Sequence, residues 1–253
     1  MRQERTIHAE WAVSPKVIAF ATTRKGGVSI APYASLNVGM HVGDDPVAVA
    51  ENRRLLTQGS LADSHWQWLD QVHSNEVVVV EQGGSEITAD ALVTARSKVV
   101  CCVQTADCLP LFVAAKDGTE VAIIHAGWRG LATGIVENTV AAMSTPAKRL
   151  AVWMGPAIGP CHFEVGAEVK ERFLAPANAA VPVAALEQCF SPSKNRGKTM
   201  ANLFAIARLK LSGLGIQAVS GGDRCTYCDQ ENFFSYRRDG DTGRMANAIY
   251  IEA

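Results

Sequence analysis

The sequence predicts an α+β (mixed α/β) fold: a single compact domain over residues 1–253, with a mixed central sheet flanked by helices. Three observations carry this expectation. Five short β-rich runs follow one another between residues 76 and 127 with no helical period among them. Helical patterns stand before and after that block instead of alternating with its strands, unlike a doubly wound sheet. No Pro/Gly/Ser-rich linker and no internal repeat divides the chain, whose 253 residues are ample for one core.

The elements follow in order. VIAFATTR (17–24) is β-rich and ends at the turn residues KGG, after which a loop of small residues runs over 26–45. A structureless stretch of that length in a compact domain is often functional. Asp45 then Pro46 begin a helical pattern, DPVAVAENRRLL, as N-cap and first helical residue. The five β-rich runs are EVVVVE (76–81), ADALVT (89–94), KVVCCVQT (98–105), LPLFVAA (109–115) and EVAIIHAG (120–127), with turns at Gly83-Gly84, Ser97-Lys98 and Asp117-Gly118. Residues 131–143 place Leu131, Ile135, Val136, Val140 and Met143 on one side of a single expected helix. LAVWMGP (150–156) predicts a further strand. GAEVKERFL (166–174) and MANLFAIARLKLSGLG (200–215) predict helices, the second stopped by Gly213 and Gly215. Residues 175–199 show no period and are expected to form a variable loop.

Composition narrows the function classes. Net charge is −1, from 24 basic and 25 acidic side chains, which points away from nucleic acid and membrane surfaces as partners. No apolar run approaches the roughly 20 residues a bilayer span needs. The charged start MRQERTIHAEW lacks the apolar region of a secretory signal. Seven cysteines, an odd number and partly within apolar runs, are expected to be reduced thiols in the cytoplasm.

His73, Cys108 and His125 stand at the ends of β-rich runs and carry metal-ligand atoms. Two imidazoles and one thiolate make a three-ligand zinc set with an open fourth position, the pattern of a catalytic site. Their separations match no finger or knuckle, so spacing leaves the plainer alternative open, a core thiol with satisfied histidines. Asp107, Asp70 and Gln71 precede ligand candidates and suit either ligand orientation or an ordinary turn. Glycines at 127, 130, 155, 159 and 166 would allow close approach to a ligand, or merely tight turns. Arg129 and Gly130 just before an expected helix start suggest an anion site, and Arg24, Arg53 and Arg54 are further cationic candidates. Cys225 and Cys228 form C-x-x-C, but no second pair accompanies them, and Cys228 reads as incidental. Phe233, Phe234 and Tyr236, followed by Arg237, Arg238 and Arg244, suit an aromatic slot with charge, or an edge strand with a charged turn.

At these residues the chain resembles the YfiH-like family, also called the laccase-domain or multicopper polyphenol oxidase-like family. The matching stretches are TTRKGGVS, SLNVGMHVGDD, NRRLL, QVHSNEVV, ADALVT, TADCLPLF, HAGWRGLATGI, GPAIGPCHFEVG and CTYC…FFSYRRDGDTGRMANAIYI, from residue 22 to the C-terminus. The resemblance implies a single mixed α/β domain with zinc at His73, Cys108 and His125. It implies phosphorolysis of adenosine, inosine, guanosine and methylthioadenosine, and deamination of adenosine. Cys108, Arg53 and Asp107 are then the candidate catalytic residues, with Arg24, Arg129 and Gly130 at the substrate. The expected partners are a nucleoside and phosphate, in a monomer or weak homodimer.

Two other activities go with the resemblance: copper-dependent phenol oxidation, and removal of a wrong amino acid from a peptidoglycan precursor. A four-copper laccase needs many histidines, often as H-x-H; this chain has six and no such pair. Copper remains an alternative metal for a lone Cys-His-His set, because it outcompetes zinc at such ligands.

Overall fold

The run VVCCVQT has apolar side chains on both faces, so its strand needs cover on both sides. In the computed structural model of the protein, which describes residues 5–58, 61, 63–175 and 181–253, it lies at the middle of four layers. It is β8 (Val99–Thr105), in a five-stranded sheet with the spatial order β1 (Thr6–His8), β2 (Val17–Thr22), β16 (Met245–Ile251), β8, β3 (His65–Gln67). All neighbours are antiparallel except β3 with β8. The second sheet has the order β15 (Ala218–Gly221), β11 (Leu150–Met154), β9 (Leu109–Ala115), β10 (Val121–Ala126), β7 (Ala91–Thr94), β5 (Val77–Val79). Its two outermost pairs are parallel and the rest antiparallel. Two small sheets complete the strands: β12 (Glu164–Gly166), β14 (Lys198–Ala201) and β13 (Phe190–Pro192), and the pair β4 (Leu69–Asp70) with β6 (Ile87–Thr88).

Strand parity sorts the core. Cys101 and Val103 face Phe112, Ala114, Val121 and Ile123 in a cluster between the two large sheets. Cys102, one residue on, points the other way, toward Leu36, Leu56 and Trp68 beneath α1 (Pro46–Leu56). The outer face of the second sheet packs against α2 (Trp128–Thr133), α3 (Ile135–Ala142), α4 (Ala167–Leu174), α5 (Val183–Glu187) and α6 (Leu203–Gly213), giving the largest cluster. Each fully buried Leu, Ile, Val or Phe there contributes about 1.5–3 kcal/mol of transfer free energy. One charge is buried with them: Lys210 Nζ on α6 donates to Glu137 Oε1 on α3 at 2.6 Å. No helix of the described residues is long and apolar enough to cross a membrane.

The mixed α/β class and the five central runs match the expectation, and Asp45 caps α1 through Val47 N, worth about 1 kcal/mol. Several details differ. The helix expected over 131–143 is two helices, because Gly134 adopts φ 98° and ends α2 before α3 begins. The helix also starts earlier than expected, at Trp128, so Arg129 lies inside its first turn. The stretch 175–199 contains α5, β13 and the start of β14, with residues 176–180 outside the described part. Gly213 is the last residue of α6 and does not stop it; Met200 and Ala201 belong to β14. The closing segment is not an edge strand, since β16 lies between β2 and β8.

A buried side chain of α1 gathers the long loop 26–45. Asn52 on α1 accepts from Val28 N at 2.8 Å and donates to Ser29 Oγ and Asn37 O, both at 2.8 Å. Leu36 and Val38 of the loop are buried beneath it.

Candidate metal centre and its cleft

Two of the three candidate ligands are delivered by the β9–β10 pairing. His125 lies opposite Pro110 and Ala126 opposite Leu109. Continuing the register sets Gly127 beside Cys108, just outside the paired strands. Cys108 follows a turn in which Asp107 has φ 97°, and this turn carries the chain from the first sheet to the second. His73 comes from a loop after β4, itself at φ 60°. The ligand atoms of His73, Cys108 and His125 all lie within 4.8 Å of one another, with Cys108 Sγ 3.8 Å from His73 Nε2.

The arrangement fits a metal ion on three counts. The donor set is one sulfur and two imidazoles, with space for a further ligand. A methyl group at Gly127 would stand 3.1 Å from Cys108 Sγ and 3.0 Å from His73 Cδ2, so a larger residue would crowd both candidate ligands. The third count is Asp90, which spacing did not reveal. His125 Nδ1 donates to Asp90 Oδ1 at 2.7 Å, leaving Nε2 as the free donor atom. The same carboxylate accepts from His73 N at 3.1 Å, Ser74 N at 2.6 Å and Ser74 Oγ at 2.7 Å. One buried Asp thus fixes both histidines. Its sequence signal was a single acid leading an apolar strand, in ADALVT.

Without a metal, the buried thiol and imidazole favour opposite charges. Burial pushes the Cys108 thiol up, but the imidazoles of His125 and His73 outweigh it and bring the thiol down to about 6. Burial favours a neutral His125, yet the Cys108 sulfur and Asp90 lift it to about 9. Burial likewise raises Asp90, and the hydrogen bonds from His125 and Ser74 pull it below the usual carboxylate range.

The three ligands floor a cleft of about 520 Å³, a size that takes a small organic ligand. Aromatic walls come from Trp128, Phe163 and Tyr236, and positive charge from Arg129, Arg237 and Arg244. The Arg129 guanidinium lies 4.6 Å from the Trp128 ring centroid. Arg237 Nη1 donates to Glu164 O at 2.8 Å, and Arg244 Nη1 to Thr242 O at 2.9 Å. Burial, its largest influence, lowers the Arg244 pKa, with the Cys108 and Asp107 charges opposing.

Of the other residues singled out in the sequence, Asp107 lines the cleft, with both carboxylate oxygens engaged. Oδ1 accepts from Thr226 Oγ1 and Oδ2 from Arg237 N, each at 2.7 Å. Gln71 also lines it, tied to β8 by bonds to Gln104 O and N. Asp70 is exposed and accepts from Thr88 Oγ1. Gly130 is buried in α2, where a methyl group would meet Ser74 O at 2.9 Å. Arg24 and Arg53 stand outside the cleft lining. Arg24 Nε donates to Ala34 O at 3.0 Å, with the guanidinium over Phe234. Arg53 bonds to Val38 O and Glu86 and lies over Trp68. Both brace the 26–45 loop, a task spacing does not distinguish from phosphate binding. Phe233 and Phe234 are fully buried core and form no slot; Tyr236 alone of that trio reaches the cleft.

The chain matches the family described as multi-copper polyphenol oxidoreductase laccase over residues 18–252. It is 47% identical over 244 residues to the purine nucleoside phosphorylase PA4543 of Pseudomonas aeruginosa, covering 96% of this chain and 97% of that one. To the purine nucleoside phosphorylase YfiH of Escherichia coli it is 42% identical over 248 residues, covering 98% and 99%. Among solved structures, Neisseria meningitidis protein NMB0706 superposes with a TM-score of 0.91 at 43% identity, covering 98% of this chain and all of that one. YlmD from Geobacillus stearothermophilus does so with a TM-score of 0.85 at 32% identity, over 95% and 94%.

Proposed function

The chain belongs to the multi-copper polyphenol oxidoreductase laccase family, among its YfiH-like members, and from that membership we propose that it is a zinc-dependent purine nucleoside phosphorylase that also deaminates adenosine. The observation that carries the reading is the convergence of His73, Cys108 and His125 at the floor of a cleft rimmed by Arg129, Arg237 and Arg244. The relatives' names supply the substrate class.

His73, Cys108 and His125 would hold the zinc. When bound there, the ion supplies net positive charge that draws an anionic oxygen and polarises a water. Phosphorolysis needs a phosphate oxygen at C1′ of the ribose while the C1′–N9 bond breaks and its electron pair leaves with the base. Arg237 and Arg244 hold the phosphate by charge-assisted bonds and keep it in line with that bond. Arg129 covers the rim. The rings of Trp128, Phe163 and Tyr236 take the planar base and displace water from it. Asp107, whose oxygens are both occupied by protein donors, suits a positioning residue that fixes the Arg237 segment better than a proton carrier.

The multi-copper reading fits the residues poorly. Among the described residues, the His73 site has three ligands, and six histidines in the chain with no H-x-H pair do not build a multi-copper cluster.

The test is turnover by protein with verified zinc content. Inosine plus phosphate is expected to release hypoxanthine and ribose 1-phosphate only when phosphate is present, and adenosine to release ammonia. Cys108→Ala is expected to abolish both with the fold retained. Absence of turnover on every nucleoside, or release of an amino acid from a UDP-muramoyl amino acid instead, would overturn the proposal.

A further inference from the structure

Cys228, incidental by spacing, is not isolated in the fold. The ligand atoms of Cys161, His162, Cys225 and Cys228 all lie within 4.8 Å of one another. The C-x-x-C of the sequence does have a partner pair, but it is the adjacent Cys161-His162, more than sixty residues away in the chain and joined to it only by folding. Cys161 Sγ is 3.7 Å from Cys228 Sγ, and His162 Nδ1 is 3.1 Å from Cys161 Sγ and 3.4 Å from Cys228 Sγ.

From this juxtaposition we propose a second metal site, a closed Cys₃His zinc site formed by Cys161, His162, Cys225 and Cys228, separate from the His73 centre. Four ligands of this type with no further position to fill make a structural site. The dimensions agree: tetrahedral zinc with Zn–S bonds of about 2.3 Å has S···S edges of about 3.8 Å. The surroundings agree as well. Gly159 N lies 3.2 Å from Cys225 Sγ and donates to it, a bond that stabilises a thiolate. A methyl group at Gly159 would meet that sulfur at 3.1 Å. The His162 ring stacks on Tyr227 with centroids 3.9 Å apart and planes 14° apart, which holds its Nδ1 toward the sulfurs. Three thiols would give up their protons on binding, so uptake of zinc releases acid.

The site would act as a clasp. It joins the 159–163 turn, whose Phe163 walls the cleft, to the 225–228 turn, whose Thr226 holds Asp107. The His73 centre shares no ligand residue with it, so the two ions should be removable separately.

The experiment is elemental analysis of protein purified in reductant, comparing the natural chain with Cys161→Ser/Cys228→Ser, each alone and in a Cys108→Ala background. These cysteines are exposed, so the substitutions should leave the apolar core intact. Loss of one zinc equivalent per chain is expected on the double substitution in both backgrounds. Cobalt in the Cys108→Ala protein should give the intense visible bands of tetrahedral thiolate ligation, absent after the double substitution. In the same background, a chelator should lower Tm only while Cys161 and Cys228 are present. Equal metal content with and without the two cysteines would overturn the proposal, as would a Cys161–Cys228 disulfide that persists in reductant without metal.

Discussion

Asp90 Oδ1 accepts the Nδ1 hydrogen of His125 at 2.7 Å, and Asp90, the residue just before β7, stands beside His125 of β10, where His125 N also donates to Asp90 O at 2.8 Å. Side-chain and main-chain bonds between the same pair leave the imidazole little rotational freedom and turn Nε2 toward Cys108.

Replacing this carboxylate should therefore loosen the metal. Asp90→Asn keeps the size but loses the charge, and its amide cannot accept all four present donors. Metal affinity is expected to fall about 10- to 100-fold. Competition with a chelator, followed by metal analysis, reads this directly. An unchanged affinity would mean that the ring is oriented by other contacts.

The metal-free thiol should titrate unusually low. With Cys108 at about 6, against an ordinary 9.0, the thiolate is present above pH 6 and is lost as pH falls through it. Alkylation of Cys108 by iodoacetamide in metal-free protein is expected to level off above about pH 7 and to fall about tenfold per pH unit well below 6. Peptide mapping separates it from Cys101, whose thiol burial pushes up to about 12 and which should stay unmodified. Metal affinity should weaken over the same acid range, because protons compete for the sulfur.

The arginines divide into two groups. Arg244→Ala should raise KM for phosphate about 10- to 100-fold, the loss of a charge-assisted bond worth about 1.5–3 kcal/mol. Arg53→Ala should leave that KM within about threefold and lower stability instead, through lost packing on Trp68 and lost bonds to Val38 O and Glu86. The opposite pattern in steady-state kinetics would return Arg53 to the phosphate.

Asp107→Asn distinguishes holding from proton transfer. Asparagine tolerates the positive φ of this position. If Asp107 positions Arg237, KM for phosphate rises while the pH profile of kcat keeps its shape. Loss of one limb of that profile would identify a proton-carrying role.

Phe112 tests the inter-sheet core on which the β9–β10 pairing rests. It is fully buried, and its ring lies 4.7 Å from that of Trp153. Phe112→Ala is expected to cost about 3–5 kcal/mol, read as a reduced denaturation midpoint.

The parts of this molecule legible in its sequence are those that local pattern determines. Apolar runs such as LPLFVAA and EVAIIHAG declare strands covered on both faces, and Asp45-Pro46 declares a helix start. His125 could be read as a strand-end ligand because the apolar run stops at it. What stayed hidden depends on contacts between distant segments. Asp90 is an unremarkable acid until β7 pairs with β10. Arg237 and Arg244 look like turn charges, and Arg24 and Arg53 like anion ligands, until folding assigns the first two to the cleft and the others to loop carbonyls. Cys161-His162 carries no spacing signal, because its partners lie at 225 and 228. The split at Gly134 was present locally but masked by the apolar stripe running through it.

The three cleft ligands belong to different strata of the fold. Cys108 directly precedes β9 and His125 lies within β10, both strands fully buried, whereas His73 is exposed on a loop. Exposed loops open at lower cost than buried core strands, so in hydrogen-exchange terms two candidate ligands sit on the unit expected to open last and the third on a loop held by its bonds to Asp90. Release of an ion bound there would then not await unfolding. The off-rate of an ion held there should follow the lability of the loop carrying His73 more closely than global stability.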